Sequence, residues 1–210
     1  MNLKSRLAWI FVIVFSSTSC FNSLQSKLEE ADQLVSENHG EEALIIYKEL
    51  VVKYPNPIVF INYGSLLLSM GQVREGEAAL LKAISINPNN ADAFYNLGLA
   101  QMMQGKRLKA VEYFSKAIEI SPEWVDPIWN RGTAYDELAE WEEALSDYDR
   151  AILLDPGNAD IYNNKGVTLK SLGRVEESIQ SFEKALIFDP NHPKAAENLR
   201  GILENSKTRH

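Results

Sequence analysis

The chain has 210 residues, 45% of them hydrophobic, 24% charged and 10% aromatic, which fits a folded globular body and argues against disorder. Its formal net charge is −8 with no basic stripe to interrupt the acidic balance, so nucleic acid is not an expected partner. One cysteine, Cys20, excludes an internal disulfide framework and a multi-thiolate metal site.

The N-terminus reads as an export signal. Lys4 and Arg6 precede an apolar run from Leu7 to Phe15 and the small polar stretch Ser16 to Ser19. The run is well short of the ~20 residues needed to span a bilayer, so residues 1–19 are expected to be a signal peptide rather than a membrane helix. Without that segment the net charge becomes −10. The stretch "STSC", Ser17 to Cys20, resembles the lipobox of bacterial lipoproteins, with Ser17 standing where that family usually has Leu. The resemblance implies that Cys20 becomes the first mature residue and carries lipid. The protein would then be exported and anchored to a cell-envelope membrane, inner or outer. Residues 20–23 would form a tether reaching no more than ~15 Å, which would hold the folded body near the membrane surface.

Downstream of the tether the sequence is periodic. Prolines fall at Pro88, Pro122, Pro156 and Pro190, glycines at Gly64, Gly98, Gly132 and Gly166, and alanines at Ala83, Ala117, Ala151 and Ala185, each set at intervals of 34 residues. Such a period marks stacked supersecondary units sharing one core. Within residues 91–124, Phe94, Leu97, Gly98 and Gln101 follow one helical face, and Leu108, Val111, Phe114, Ala117 and Ile118 follow a second. Each unit is therefore expected to be a helical hairpin. The units are 24–56 (degenerate, with Ala31 in the glycine slot and Lys27 in the aromatic one), 57–90, 91–124, 125–158 and 159–192, followed by a polar capping helix and tail over 193–210.

Punctuation agrees with this division. Gly71, Gly105 and Gly173 stand where the first helix must release the chain through a left-handed residue, and Ala139 occupies that slot in the fourth unit. Asn56-Pro57 and Asp126-Pro127 read as helix caps followed by a proline at the first helical position, and Asn90, Asn158 and His192 read as further caps. Asp92 and Asp160 then lie in first turns, where the helix dipole favours them.

The pattern Phe94, Leu97, Gly98, Ala110, Phe114, Ala117, Pro122, repeated with variations in the neighbouring units, resembles the tetratricopeptide repeat. The resemblance implies an all-α, right-handed superhelical solenoid of helix-turn-helix units with a C-terminal capping helix. Glycine at position 8 and alanines at positions 20 and 27 would let helices approach, and the aromatic at position 24 would fill the gap. In that family the first helices line a concave groove. At position 6 this chain has Asn62, Asn96, Asn130, Asn164 and, in the cap, Asn198. Some tetratricopeptide proteins hold an extended polypeptide by such a ladder, and a carboxamide, with both donor and acceptor, matches a peptide unit. Bonding between repeats explains the same row equally well. Tyr95 and Trp129 at position 5, with Leu99, Met102 and Met103, would supply an apolar floor. Asp92, Asp126, Asp136, Glu137 and Asp160 would make the groove acidic, and Lys165 and Lys170 would reverse the sign toward its C-terminal end.

No catalytic constellation stands out. "GQVREGEA" has glycine spacing like a phosphate loop but carries Glu77 and Ala78 where Lys and Ser or Thr are required. His39, His192 and His210 are far apart, and the acid pairs Asp147/Asp149, Glu142/Glu143 and Glu176/Glu177 are expected on solvated faces. The sequence thus predicts no enzyme, cofactor, metal or small-molecule substrate. It predicts a membrane-anchored scaffold or assembly factor that binds a segment of another envelope protein, with a self-associating structural protein as the alternative and the oligomeric state open.

Overall fold

The computed structural model describes residues 23–207, and among them the secondary structure is entirely helical. The signal segment, Cys20 and His210 lie outside the described residues. The chain divides into two compact units, Met1–Pro88 and Asn89–His210. The described part of the first holds α1 (23–36), α2 (Gly40–Lys53), α3 (Pro57–Ser69) and α4 (Val73–Ile86). The second holds α5 (Ala91–Met103), α6 (Arg107–Ile120), α7 (Val125–Glu137), α8 (Trp141–Leu154), α9 (Ala159–Ser171), α10 (Val175–Phe188) and α11 (Pro193–Lys207).

Both breaks in each hairpin have a backbone cause. Gly71, Gly105 and Gly173 adopt φ of 76°, 75° and 76°, and Ala139 is forced to 59°. In the first repeat the same left-handed slot falls to Asn38, at 63°, a residue whose short polar side chain tolerates that region. The second helices end at Lys53, Ile86, Ile120, Leu154 and Phe188, each followed by one non-helical residue and then a proline. Proline disfavours helical geometry in the residue before it, so the helix stops one position early every time.

First helices start on their caps, with one correction. Asn56 accepts from the Val59 N–H at 3.1 Å, Asn90 from Ala93 at 2.9 Å and Asn158 from Asp160 at 3.2 Å. Asp126 does not cap α7 as expected: that helix begins at Val125, with Trp124 before it, and Asp126 and Pro127 lie inside its first turn. The repeat register decides this. Pro127 is tolerated there because the first N–H groups of a helix have no intrahelical partner. His192 caps α11, its Nδ1 accepting from Ala195 at 3.2 Å.

Helix approach inside the hairpins after the first, which has Ala31 in that slot, is set by the position-8 glycine. A Cβ on Gly98 would stand 2.4 Å from the Phe114 ring, one on Gly166 2.6 Å from Phe182, and one on Gly132 2.9 Å from Tyr148. In the second repeat Leu80 replaces the ring, α3 and α4 close further, and Gly76 is needed where other repeats carry a larger residue. A Cβ there would meet Leu68 at 2.8 Å and the Gly64 carbonyl at 2.9 Å. Tyr47, Phe114, Tyr148 and Phe182 are among the largest fully buried side chains.

Candidate functional site

Within the second unit the first helices stand side by side, α9 against both α7 and α11. The position-6 amides Asn96, Asn130, Asn164 and Asn198 lie on this wall, half-buried. Asn96 donates Nδ2 to the Asp92 carbonyl of its own helix at 2.8 Å, and Asn130 donates to the Asp126 carbonyl at 2.9 Å and toward the Tyr95 hydroxyl at 3.5 Å. Asn198 reaches Asn163 Oδ1 at 3.0 Å, and Asn163 in turn donates to Asn164 Oδ1 at 3.3 Å. In the first unit Asn62 donates to Asp32 on α1 at 3.3 Å. Several of the amides therefore tie one repeat to the next, or to their own helix. A carboxamide has two donor protons and a two-lone-pair acceptor, so these bonds do not exhaust it.

The apolar floor is largely committed to packing. Tyr95, Leu99 and Met102 are half-buried against Ala110, Phe114 and Ala134, and the Tyr95 ring sits 4.7 Å from Trp124 and 5.9 Å from Phe114, centroid to centroid. Burial, reinforced by the nearby Asp126 carboxylate, pushes the Tyr95 hydroxyl up to about 12. Trp129 packs on the core around Ile118, Ile128 and Tyr148, and its buried Nε1 has no hydrogen-bond partner among the described residues. Met103 is the open member of the group, 54% exposed.

Charge on the wall is mainly negative. Asp92, Asp126 and Asp160 are exposed; Asp126 accepts from Trp124 Nε1 at 3.1 Å, and Asp160 faces His192 Nε2 at 3.1 Å. Half-buried Asp136 accepts from Thr168 at 2.6 Å, and Glu137 pairs with Arg107. Lys165 does not face this wall in the expected way: it bonds Asp149 of α8 at 2.5 Å, because position 7 leans toward the preceding second helix. Lys170 remains exposed near the end of α9.

A second correction concerns Asp147, which the sequence placed in water. It is buried and forms a two-pronged pair with Arg131, Nε to Oδ2 at 2.8 Å and Nη2 to Oδ1 at 2.7 Å, while Nη1 of the same guanidinium donates to Ser115 at 2.9 Å. The Asp147 hydrogen bond raises the Arg131 pKa further above its ordinary value. A planar fork matched to a carboxylate makes such burial tolerable.

The sequence reading also missed a regular polar contact at position 9. The buried tyrosines at position 24 carry a hydroxyl that needs a partner: Tyr47 donates to Asp32, and Tyr148 lies 3.5 Å from Thr133. Where position 24 is Phe114 or Phe182, position 9 is Leu99 or Val167. The signal was present as a pairing of residues within each repeat, tyrosine with polar and phenylalanine with apolar. Among the described residues no group of three or more His, Cys, Asp or Glu is placed to hold a metal ion.

Helical hairpins stacked through a recurring geometry, with a polar row on the first helices, define a repeat protein of the interaction-scaffold class. The chain carries tetratricopeptide repeats: family models described as "TPR repeat" and "Tetratricopeptide repeat" match residues 64–105, 91–123 and 130–193. Solved structures share the fold. The crystal structure of MamA is 24% identical with a TM-score of 0.70, over 78% of this chain and 96% of that one. YrrB, described as a TPR protein with an unusual peptide-binding site, is 24% identical with a TM-score of 0.68, over 81% and 89%. TTC0263, a thermophilic TPR protein of Thermus thermophilus, is 19% identical with a TM-score of 0.68, over 86% and 98%. No curated protein matches the chain significantly.

Proposed function

We propose that this protein is an exported, lipid-anchored scaffold or assembly factor that captures an extended segment of another envelope protein along the first-helix wall of its repeats. The observation that carries the reading is the row of half-buried amides on that wall, bordered by exposed carboxylates and by Met103. Within the second unit, peptide units would meet the unfilled hydrogen-bonding capacity of Asn96, Asn130, Asn164 and Asn198, and Asn62 offers the same capacity on the first unit. Hydrogen bonds worth about 0.5–1.5 kcal/mol each would barely offset an association cost of about 4–15 kcal/mol. Apolar contact with Met103 and the edges of Tyr95, Leu99, Met102 and Trp129 supplies the remainder. The peptide-binding site named for YrrB is a precedent on the same fold, and the "STSC" stretch supports the lipid anchor.

The test is in-cell photo-cross-linking. A photoreactive residue at Met103 is expected to capture one reproducible protein partner, and one at Leu153, 83% exposed on the second helix α8, to capture none. A clean partner at Leu153 with only scattered products at Met103 would move the binding face away from the wall.

A further inference from the structure

In the first unit, α1, α2 and α3 enclose a cleft of about 390 Å³ lined by Asp32, Val35, Ser36, Tyr47, Asn62, Ser65, Leu66 and Ser69. Its polar groups are biased toward acceptors. Both the Tyr47 hydroxyl and Asn62 Nδ2 donate to Oδ1 of Asp32, which fixes the carboxylate and leaves Oδ2 without a hydrogen bond among the described residues. Tyr47 is 1% exposed, and burial together with that carboxylate raises its pKa, so the phenol keeps its proton. Ser36 Oγ donates to the Gln33 carbonyl at 2.7 Å and Ser69 Oγ to the Leu66 carbonyl at 2.8 Å. The protons of Ser36 and Ser69 are thus turned back onto their own helices, leaving those two oxygens as acceptors, while the Ser65 hydroxyl can donate or accept. One Nδ2 proton of Asn62 is engaged by Asp32, and its Oδ1 is one more acceptor. Among the described residues no lysine, arginine or histidine pairs with Asp32, so its charge is uncompensated.

A cleft holding a fixed, unpaired carboxylate and three acceptor oxygens matches a ligand that is cationic and chiefly donates. Guanidinium does both, with five N–H donors in a rigid plane and no acceptor, and Val35, Leu66 and the Tyr47 ring offer apolar cover for its methylene stem. We propose that this cleft receives an arginine side chain of the bound segment. The proposal deepens the scaffold reading by stating that the captured segment is basic where it crosses α1 and α3.

The experiment uses the full-length chain and small probes, so it does not depend on a polypeptide partner. Nα-acetyl-arginine amide is titrated against the isotope-labelled protein, with Nα-acetyl-citrulline amide as the neutral isostere. Saturable shifts are expected at the Asn62 side-chain amide and the Ser65 backbone amide with arginine and not with citrulline. Asp32→Asn should weaken arginine binding about tenfold or more, since a charge-assisted bond is lost. Tyr47→Phe, which keeps the ring but releases the carboxylate, should weaken it severalfold. Equal shifts from citrulline, arginine shifts elsewhere on the protein, or an unchanged affinity in Asp32→Asn would each overturn the proposal. Should Asp32→Asn disturb folding, the arginine–citrulline comparison on the unaltered chain still decides. Loss of this site would leave cross-linking at Met103 untouched, and failure there would leave an arginine site without a polypeptide.

Discussion

Gly98 shows how closely a single atom can control this fold. An added Cβ would overlap the Phe114 ring at 2.4 Å, and a fully buried ring has nowhere to move. Gly98→Ala gains some helix propensity, roughly 0.5–1 kcal/mol, but the overlap forces α5 and α6 apart. A net loss of about 1–3 kcal/mol is expected in urea unfolding. Tyr95 offers a titration test at the same scale. Its folded pKa of about 12 exceeds the ordinary value of 10.0, chiefly through burial and then through Asp126. The stability it contributes is complete below pH 10 and is lost as pH rises toward 12, because the unfolded chain releases a proton that the folded one retains. Urea midpoints measured below and within that window should fall less steeply in Tyr95→Phe. Tyr47, Tyr63, Tyr135 and Tyr148 are raised as well, so the slope should diminish without vanishing.

At the level of the helix, the ends carry the vulnerable chemistry. Ala139 closes α7 at φ 59°, a geometry that costs an L-residue with a Cβ about 1–2 kcal/mol and glycine almost nothing. Ala139→Gly should raise the melting temperature, corresponding to about 1 kcal/mol, even though no contact is gained. The last helix begins with His192-Pro193, where Nδ1 caps the Ala195 N–H and Nε2 faces Asp160. That pairing selects the tautomer with the proton on Nε2. His192→Ala should lower hydrogen-exchange protection across α11 by about 1 kcal/mol, and His192→Asn, itself a strong cap, should restore most of it. A loss extending equally through α5 and α6 would mean that the residue supports the whole unit rather than one helix end.

At the largest scale, tetratricopeptide repeats stack by nearest-neighbour contact within each unit, which leaves the first helices available as a surface while glycine-to-ring contacts hold the hairpins α5–α6, α7–α8 and α9–α10. In the proposed reading, how that surface is presented in the cell depends on the N-terminal segment. Cys20→Ala is expected to abolish fatty-acid labelling and to release the protein from the membrane fraction. Membrane retention without label would point to an uncleaved anchor instead. An acidic body gains nothing from anionic lipid, so buried acyl chains would have to supply the attachment.

The sequence alone determined the repeat, its register, the left-handed turns and the second-helix stops, because these follow from local backbone sterics recurring every 34 residues. It also revealed the amide row, since a period is visible without coordinates. Tertiary structure decided where those side chains direct their bonds. Asp147 is buried against Arg131 from 16 residues away, Lys165 turns to Asp149, and Asp32 is held by Tyr47 and Asn62. Each of these outcomes depends on which helices meet across a hairpin or between repeats. A long polar side chain takes whichever opposite charge or acceptor lies within reach, and that distance is set by helix packing rather than by position in the chain.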